Sequence, residues 1–315
     1  MGDTKKLMNY LLACKRWLDF LLCEKITRGI LLKYVVCFTF LYENSGRIPM
    51  KTMLHFILIL VLVTPCFPQT PKKSDTVKLN GVETYYEVYG DGEPVFLLHG
   101  WGQSTTFWNE YVRDFTDKFE VYLVDIKGHG KSSPLQSEFS LQAAVDDFLA
   151  LLDYLQFDQI KAIGLSYGGE LLLQLCSANS HRIKSMITIG AEYDFSGKGL
   201  NWKYGDLPPK ELEKMRKRHI HGDAQIIALF NLLNNYEIHL TNEQLSKIST
   251  STLIIVGEKD EWFPDLTKIV NLHKHIPDSH LWIVPNKSHI AFSGKNKPEF
   301  IRIAKEFLMD EWKQQ

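Results

Sequence analysis

The feature that most constrains this chain is Gly164-Leu165-Ser166-Tyr167-Gly168, set between the apolar run Ile160–Leu165 and an apolar stretch that runs from about Gly168 to Ser177. A chain that passes from a buried strand into a helix through G-x-S-x-G must turn sharply at the serine, and side chains at the two glycines would obstruct the turn. The helix that follows points its first N–H groups at the serine, where they favour negative charge. The motif therefore demands a strand, a strained turn and a helix, with Ser166 presented at the carboxyl edge of a sheet.

The surrounding pattern supplies that sheet. Thr76–Leu79 and Val82–Tyr89 are β-rich and separated by Asn80-Gly81, a strong hairpin signal. Pro94–Leu98, Phe119–Val124, Lys184–Gly190, Thr252–Val256 and Leu281–Val284 read as further strands, several of them continuous apolar runs suited to burial on both faces. Helical patterns fall between them at Thr105–Phe115, Leu141–Leu155 (with Ser140 as N-cap), Asp265–His275 and Pro298–Trp312. Alternating strands and helices predict an α/β fold, a mostly parallel sheet covered on both faces. The alternation fails once. About sixty residues after Ile189 show helical patterns, including Pro208–His219 and Ala224–Leu233, and no strand. This stretch is expected to be a helical cap inserted at about 194–250 of a domain spanning 76–315.

Composition narrows the function classes. The formal net charge of -1 provides no electrostatic footprint for nucleic acid. Residues 1–49 hold eight Lys/Arg against four Asp/Glu, a surplus of four that leaves -5 on the remainder. Of the five cysteines only Cys176 lies in the expected domain, within an apolar run, where a small buried core residue is expected. No Cys/His cluster has metal-ligand spacing, and no cofactor is expected.

Met50–Gln69 combines a Met-Lys start, an apolar core from Leu54 to Val63 and a polar exit, which reads as a signal peptide. The core is short for a bilayer span. Met50 is then the true start, residues 1–49 are a mis-called extension, and the product is exported, periplasmic or secreted. The alternatives are a signal anchor formed by residues 50–69, or lipid attachment at Cys66.

Ser166 needs a base within hydrogen-bond reach and a carboxylate to orient that base. Of eleven histidines, His289 follows the strand Leu281–Val284 by a short loop, at the carboxyl edge of the sheet. Asp260 follows the strand Thr252–Val256, with Glu258 and Glu261 as near rivals and Asp194 as a more distant one. A tetrahedral intermediate needs two backbone donors, expected from the N–H groups of Trp101 and Tyr167. His99 is read as structural, holding its loop by a backbone hydrogen bond. In the cap, Trp202, Tyr204 and Phe230, together with Trp101, either line a substrate pocket or pack the cap onto the body. His219-Ile220-His221 is not a metal site without further ligands.

The segments HGWGQS (99–104), DIKGHGKSS (125–133), GLSYGG (164–169), GEKDEWFP (257–264) and SHIAF (288–292) resemble the α/β-hydrolase superfamily in its serine esterase and C–C hydrolase branch. The likeness covers about three-quarters of the chain and departs slightly at Lys127, where arginine is more usual. It implies an eight-stranded sheet with the second strand antiparallel, and a Ser166–His289–Asp260 triad. Haloalkane dehalogenases and epoxide hydrolases of this fold carry aspartate where Ser166 stands. The expected function is hydrolysis of a small or medium carboxylic ester through an acyl-enzyme. C–C hydrolysis, acyl transfer and cofactor-free haloperoxidation are alternatives on the same triad, and a non-catalytic binding protein is a distant one.

Overall fold

The computed structural model describes residues 69–135, 140–263 and 265–314. The expected leader and extension, residues 1–69 apart from Gln69 itself, lie outside the described residues. No helix among those described is long and apolar enough to cross a membrane.

The chain opens with a hairpin, β1 (Lys73–Leu79) and β2 (Val82–Tyr89), paired antiparallel from Lys73↔Val88 to Leu79↔Val82. Its two-residue turn places Asn80 at φ 51° and Gly81 at φ 83°, the left-handed pair that lets two right-twisted strands meet. Next come β3 (Glu93–Leu98), a 3₁₀ turn at Thr105–Glu110, the short helix α1 (Val112–Phe115) and β4 (Phe119–Val124). The expected single helix over 105–115 is thus two pieces, because Ser104 caps a tight 3₁₀ turn that closes at Tyr111. Helix α2 (Leu141–Tyr154) begins where Ser140 Oγ accepts the Ala143 amide at 3.2 Å, as its N-cap position predicts. There follow β5 (Ile160–Leu165), α3 (Tyr167–Asn179) and β6 (Ile183–Ile189).

The insertion then departs from expectation. It contains β7 (Asp194–Ser196), α4 (Pro209–Arg218), α5 (Asp223–Asn235), β8 (Glu237–His239) and α6 (Asn242–Ser246). Strands β7 and β8 pair antiparallel, Asp194 opposite His239, and so tie the two ends of the insertion together. Three residues are too few to show a period of two, which is why the pattern over this stretch read as helix alone. The chain finishes with β9 (Ser251–Gly257), α7 (Leu266–His275), β10 (Ser279–Val284) and α8 (Lys297–Leu308). Helix α8 stops short of the expected Trp312, since Asp310 turns left-handed at φ 59° and a 3₁₀ turn follows.

The main sheet has the order β1-β2-β4-β3-β5-β6-β9-β10, with β2 antiparallel to its neighbours and the other pairs parallel. Two buried clusters sandwich it. One joins Phe96, Ala162 and Met186 to α2, α3, α7 and the cap, and the other joins Leu97, Ile163 and Ile187 to α1 and α8. Adjacent residues on the strands β3, β5 and β6 thus feed opposite faces, which explains their unbroken apolar runs. Phe96 stacks on Tyr122 at 4.6 Å and meets Phe148 edge-on at 5.6 Å. Cutting it to alanine is worth roughly 3–5 kcal/mol. Cys176 is buried in the same cluster, and its thiol is pushed up to about 12 by burial, so it is an inert core residue as expected.

Candidate active site

Ser166 sits between β5 and α3 at φ 50°, ψ −119°, a sparsely populated conformation for any residue with a side chain. What holds it there is contact on both sides. A Cβ at Gly164 would approach Gly168 O to 2.5 Å, and one at Gly168 would lie 2.7 Å from Leu98 O. The turn can close only because neither carries a side chain, as the motif required. The Ser166 amide donates to Ile189 O at 2.7 Å, which ties the turn to the end of β6.

His289 reaches the same place from the loop after β10. Its ring covers Gly190, where a Cβ would fall 2.9 Å from both Cε1 and Nδ1. Gly190 adjoins the Ile189 carbonyl that holds Ser166, so the serine turn and the His289 imidazole converge on one chain segment. His289 Nδ1 lies 2.9 Å from Asp260 Oδ2 and 3.1 Å from Oδ1. Asp260 is buried, and its Oδ1 also accepts the Trp262 and Phe263 amides at 2.9 and 3.1 Å. The turn after β9 thus folds around this carboxylate.

The rival acids go elsewhere. Glu258 Oε2 accepts the Asn286 amide, Glu261 Oε2 accepts the His289 backbone amide at 3.3 Å, and Asp194 pairs with His239 and Lys268. Only Asp260, among these four, meets the His289 ring.

The loop after β3 approaches the serine from the other side. A Cβ at Gly100 would lie 3.3 Å from Ser166 Cβ. Trp101 follows Gly100 in this loop, and Tyr167 opens α3 directly after Ser166, so the amides of both residues adjoin the serine turn. His99 is buried, its Nε2 accepting the Ile126 amide at 3.1 Å and its Nδ1 donating to Gly100 O at 2.9 Å. Burial pushes its pKa down to about 3, so it is a neutral bracket between two loops, as predicted. Asp125, at the end of β4, accepts the Thr105 amide at 2.6 Å and the Lys131 amide at 2.8 Å, while burial lifts its pKa to about 6. Ser132 closes the same corner by donating to Asp125 O and accepting the Tyr85 amide. The motif DIKGHGKSS was visible in the sequence, but these roles for Asp125 and Ser132 were not.

The cap residues divide. Trp101 Nε1 donates to Leu229 O at 2.7 Å, and its ring meets the buried Phe230 edge-on at 5.2 Å. Trp202 is partly exposed and packs on Trp262 at 4.9 Å, which in turn lies 6.1 Å from His289. Tyr204 is committed elsewhere, its hydroxyl held by Asp223 and Arg216 on the cap surface. Gly190 and the amides of Trp262 and Phe263 are neighbours of the Asp260–His289 pair that the sequence did not announce. Among the described residues, no group of three His, Cys, Asp or Glu side chains is placed to hold a metal ion.

Residues 93–222 match the family described as alpha/beta hydrolase fold. Among curated relatives, a pimeloyl-[acyl-carrier protein] methyl ester esterase of Aeromonas hydrophila is 25% identical over 261 residues, covering 70% of this chain and 98% of its own. A non-heme chloroperoxidase of Kitasatospora aureofaciens is 28% identical over 272 residues, covering 73% and 97%. Among solved structures, a meta-cleavage product hydrolase from Pseudomonas fluorescens superposes with a TM-score of 0.65 at 20% identity, covering 75% of this chain and 98% of that one. With its eight-stranded sheet, a single antiparallel strand and the serine turn after β5, the chain has the α/β-hydrolase fold.

Proposed function

We propose that this protein is a serine hydrolase that cleaves a small or medium carboxylic ester through an acyl-enzyme on Ser166. The observation that carries this reading is the Asp260–His289 pair, seated on Gly190 beside the strained Ser166 turn. Ser166 Oγ attacks the ester carbonyl as His289 takes its proton. The tetrahedral oxygen is received by the Trp101 and Tyr167 amides. Asp260 holds Nδ1–H of His289 and stabilises the imidazolium, without itself taking the proton. Collapse expels the alcohol, which leaves with the proton from His289. Water then repeats the sequence to release the acid and restore Ser166.

The methyl ester esterase named among the relatives supports an ester as substrate. Trp262, which lies beside His289, and Trp202, which packs on it at a tilt, are the side chains proposed to contact the acyl group, together with the Trp101–Phe230 pair.

The test has two arms. A fluorophosphonate probe at pH 7 is expected to label Ser166, and absence of label there would overturn the serine mechanism. A panel of 4-nitrophenyl esters of increasing chain length is expected to show turnover that peaks at a short or medium acyl chain. Labelling without hydrolysis of any member would replace the ester reading with acyl transfer or C–C cleavage on the same serine.

A further inference from the structure

One buried side chain of the cap has no part in the reaction just described, yet reaches both loops that frame it. His219 follows α4 and is about 1% exposed. Its Nδ1 accepts the Gly130 amide at 2.9 Å. The proton is therefore on Nε2, which donates to Gly102 O at 3.2 Å. Burial pushes its pKa down to about 4, so the neutral ring that these two bonds require is the form present at pH 7.

The second bond leads to the oxyanion donor in two steps. Gly102 O belongs to the Gly102–Gln103 peptide, whose N–H is on Gln103 and donates to Gly100 O at 3.1 Å. Gly100 O belongs in turn to the Gly100–Trp101 peptide. In a trans peptide the N–H points opposite to the C=O, so fixing Gly100 O aims the Trp101 amide the other way. His99 Nδ1 grips the same Gly100 O from beneath.

We infer that His219 is a positioning residue, a cap side chain that aims the Trp101 amide at the reacting oxygen through the Gly102–Gln103 and Gly100–Trp101 peptides. The same ring grips Gly130, in the loop whose Asp125 holds Thr105, so the loop after β3 is clamped at both ends. Other links between cap and loops run beside the relay. Gln225 donates to Gly128 O and Gly130 O, and Trp101 Nε1 donates to Leu229 O. Arg218 also reaches Gly102 O, but at 3.4 Å, and Met215 packs against Gly102. Catalysis would then depend on the cap through a hydrogen bond as well as through the shape of the pocket.

This inference rests on the serine-hydrolase reading, so wild-type protein is first tested for labelling by a fluorophosphonate and for hydrolysis of 4-nitrophenyl butyrate. Failure of both overturns that reading before His219 is touched. With active wild type in hand, His219→Leu keeps the bulk of the side chain and removes both bonds. It is expected to lower kcat about 10- to 100-fold, somewhat less than outright loss of an oxyanion donor, with KM within about threefold. Affinity for an aryl trifluoromethyl ketone, which forms a tetrahedral adduct with the serine, should fall by the same factor as kcat/KM. His219→Gln, whose amide offers one acceptor and one donor, is expected to recover most of the loss.

A leucine variant with wild-type kcat and ketone affinity overturns the inference. So does a loss expressed in KM alone, or a folded glutamine variant as impaired as leucine. Should the leucine variant fail to fold, the glutamine variant decides: a loss of about 100-fold in kcat with a native melting temperature rejects the relay.

Discussion

The two walls of the site are held by different forces. On the body side, Ser166 is fixed by backbone contacts so close that no side chain fits at Gly164 or Gly168. On the cap side, the links are mostly side-chain hydrogen bonds, from Trp101 to Leu229 O, from Gln225 to Gly128 O and Gly130 O, and from Tyr236 to the buried Glu170, beside one backbone bond from Ile220 to Gly130 O. On the outer side of the cap, Gly199, Gly205 and Gly222 would meet nothing within 4 Å if given a Cβ, although Gly197 at its base would run into Leu233 O. Close packing permits one geometry and fails abruptly when changed, whereas a hydrogen-bonded wall can be retuned one residue at a time. The fold thus keeps the reaction on the rigid side and leaves room for variation in specificity on the other.

The largest expected effect lies on the rigid wall. Ser166→Ala removes the proposed nucleophile but not the turn, so kcat for 4-nitrophenyl esters should fall by about 10⁴ or more with little change in melting temperature. Asp260→Asn comes next, with a loss of about 10²–10⁴ in kcat and more residual activity than the serine variant. Glu258→Gln and Glu261→Gln are expected to stay within a few-fold of wild type, since neither carboxylate reaches the His289 ring. An asparagine variant at 260 with full activity would remove Asp260 from the reaction.

Gly168→Ala tests the rigidity itself. The added methyl lies 2.7 Å from Leu98 O and 2.8 Å from His99 O, so backbone must move. We expect a loss of roughly 1–3 kcal/mol in urea unfolding, together with a fall in kcat. A stable, fully active variant would mean that the elbow is softer than its contacts imply.

This contrast also explains what could be read from the sequence. Positions ruled by sterics leave a compositional trace: the glycines of the elbow, Asn80-Gly81 in the hairpin, the apolar runs of β3, β5 and β6. Positions chosen by hydrogen-bond geometry leave little. Three acids stand within four residues at 258–261, and only the fold of the turn, with the Trp262 and Phe263 amides on one carboxylate, singles out Asp260. His219 looked like half of a histidine pair and proved to be a bracket between loops, because its partners are backbone atoms about 90 and 117 residues away. The β7–β8 pair was hidden by its brevity.

A smaller effect should appear where the two walls meet. Glu170, one turn into α3, is fully buried and accepts from Tyr236 of the cap, and burial pushes its pKa up to about 8. An unfolded glutamate ionises near 4.3. Below that value both states hold the proton and the contribution to stability is whole. As pH rises the unfolded chain gives up its proton first, so this contribution declines until the folded group ionises near 8. The buried histidines, whose pKa values are lowered, work in the opposite sense, so the difference between variants is the quantity to measure. Glu170→Gln cannot ionise, and its stability relative to wild type should climb steadily between about pH 5 and pH 8 in urea titrations. A flat difference would show that Glu170 ionises alike in both states.

The smallest effect belongs to the open side of the cap. Gly205 lies in the 3₁₀ turn Tyr204–Asp206, without a left-handed φ and with empty space where its Cβ would be. Alanine there costs no contact and restricts the unfolded chain, so Gly205→Ala should raise stability by about 0.4–1 kcal/mol. The same substitution is therefore expected to stabilise at 205 and destabilise at 168. Matching losses at the two positions would erase the distinction between the walls, because the cap would then be packed as tightly as the elbow.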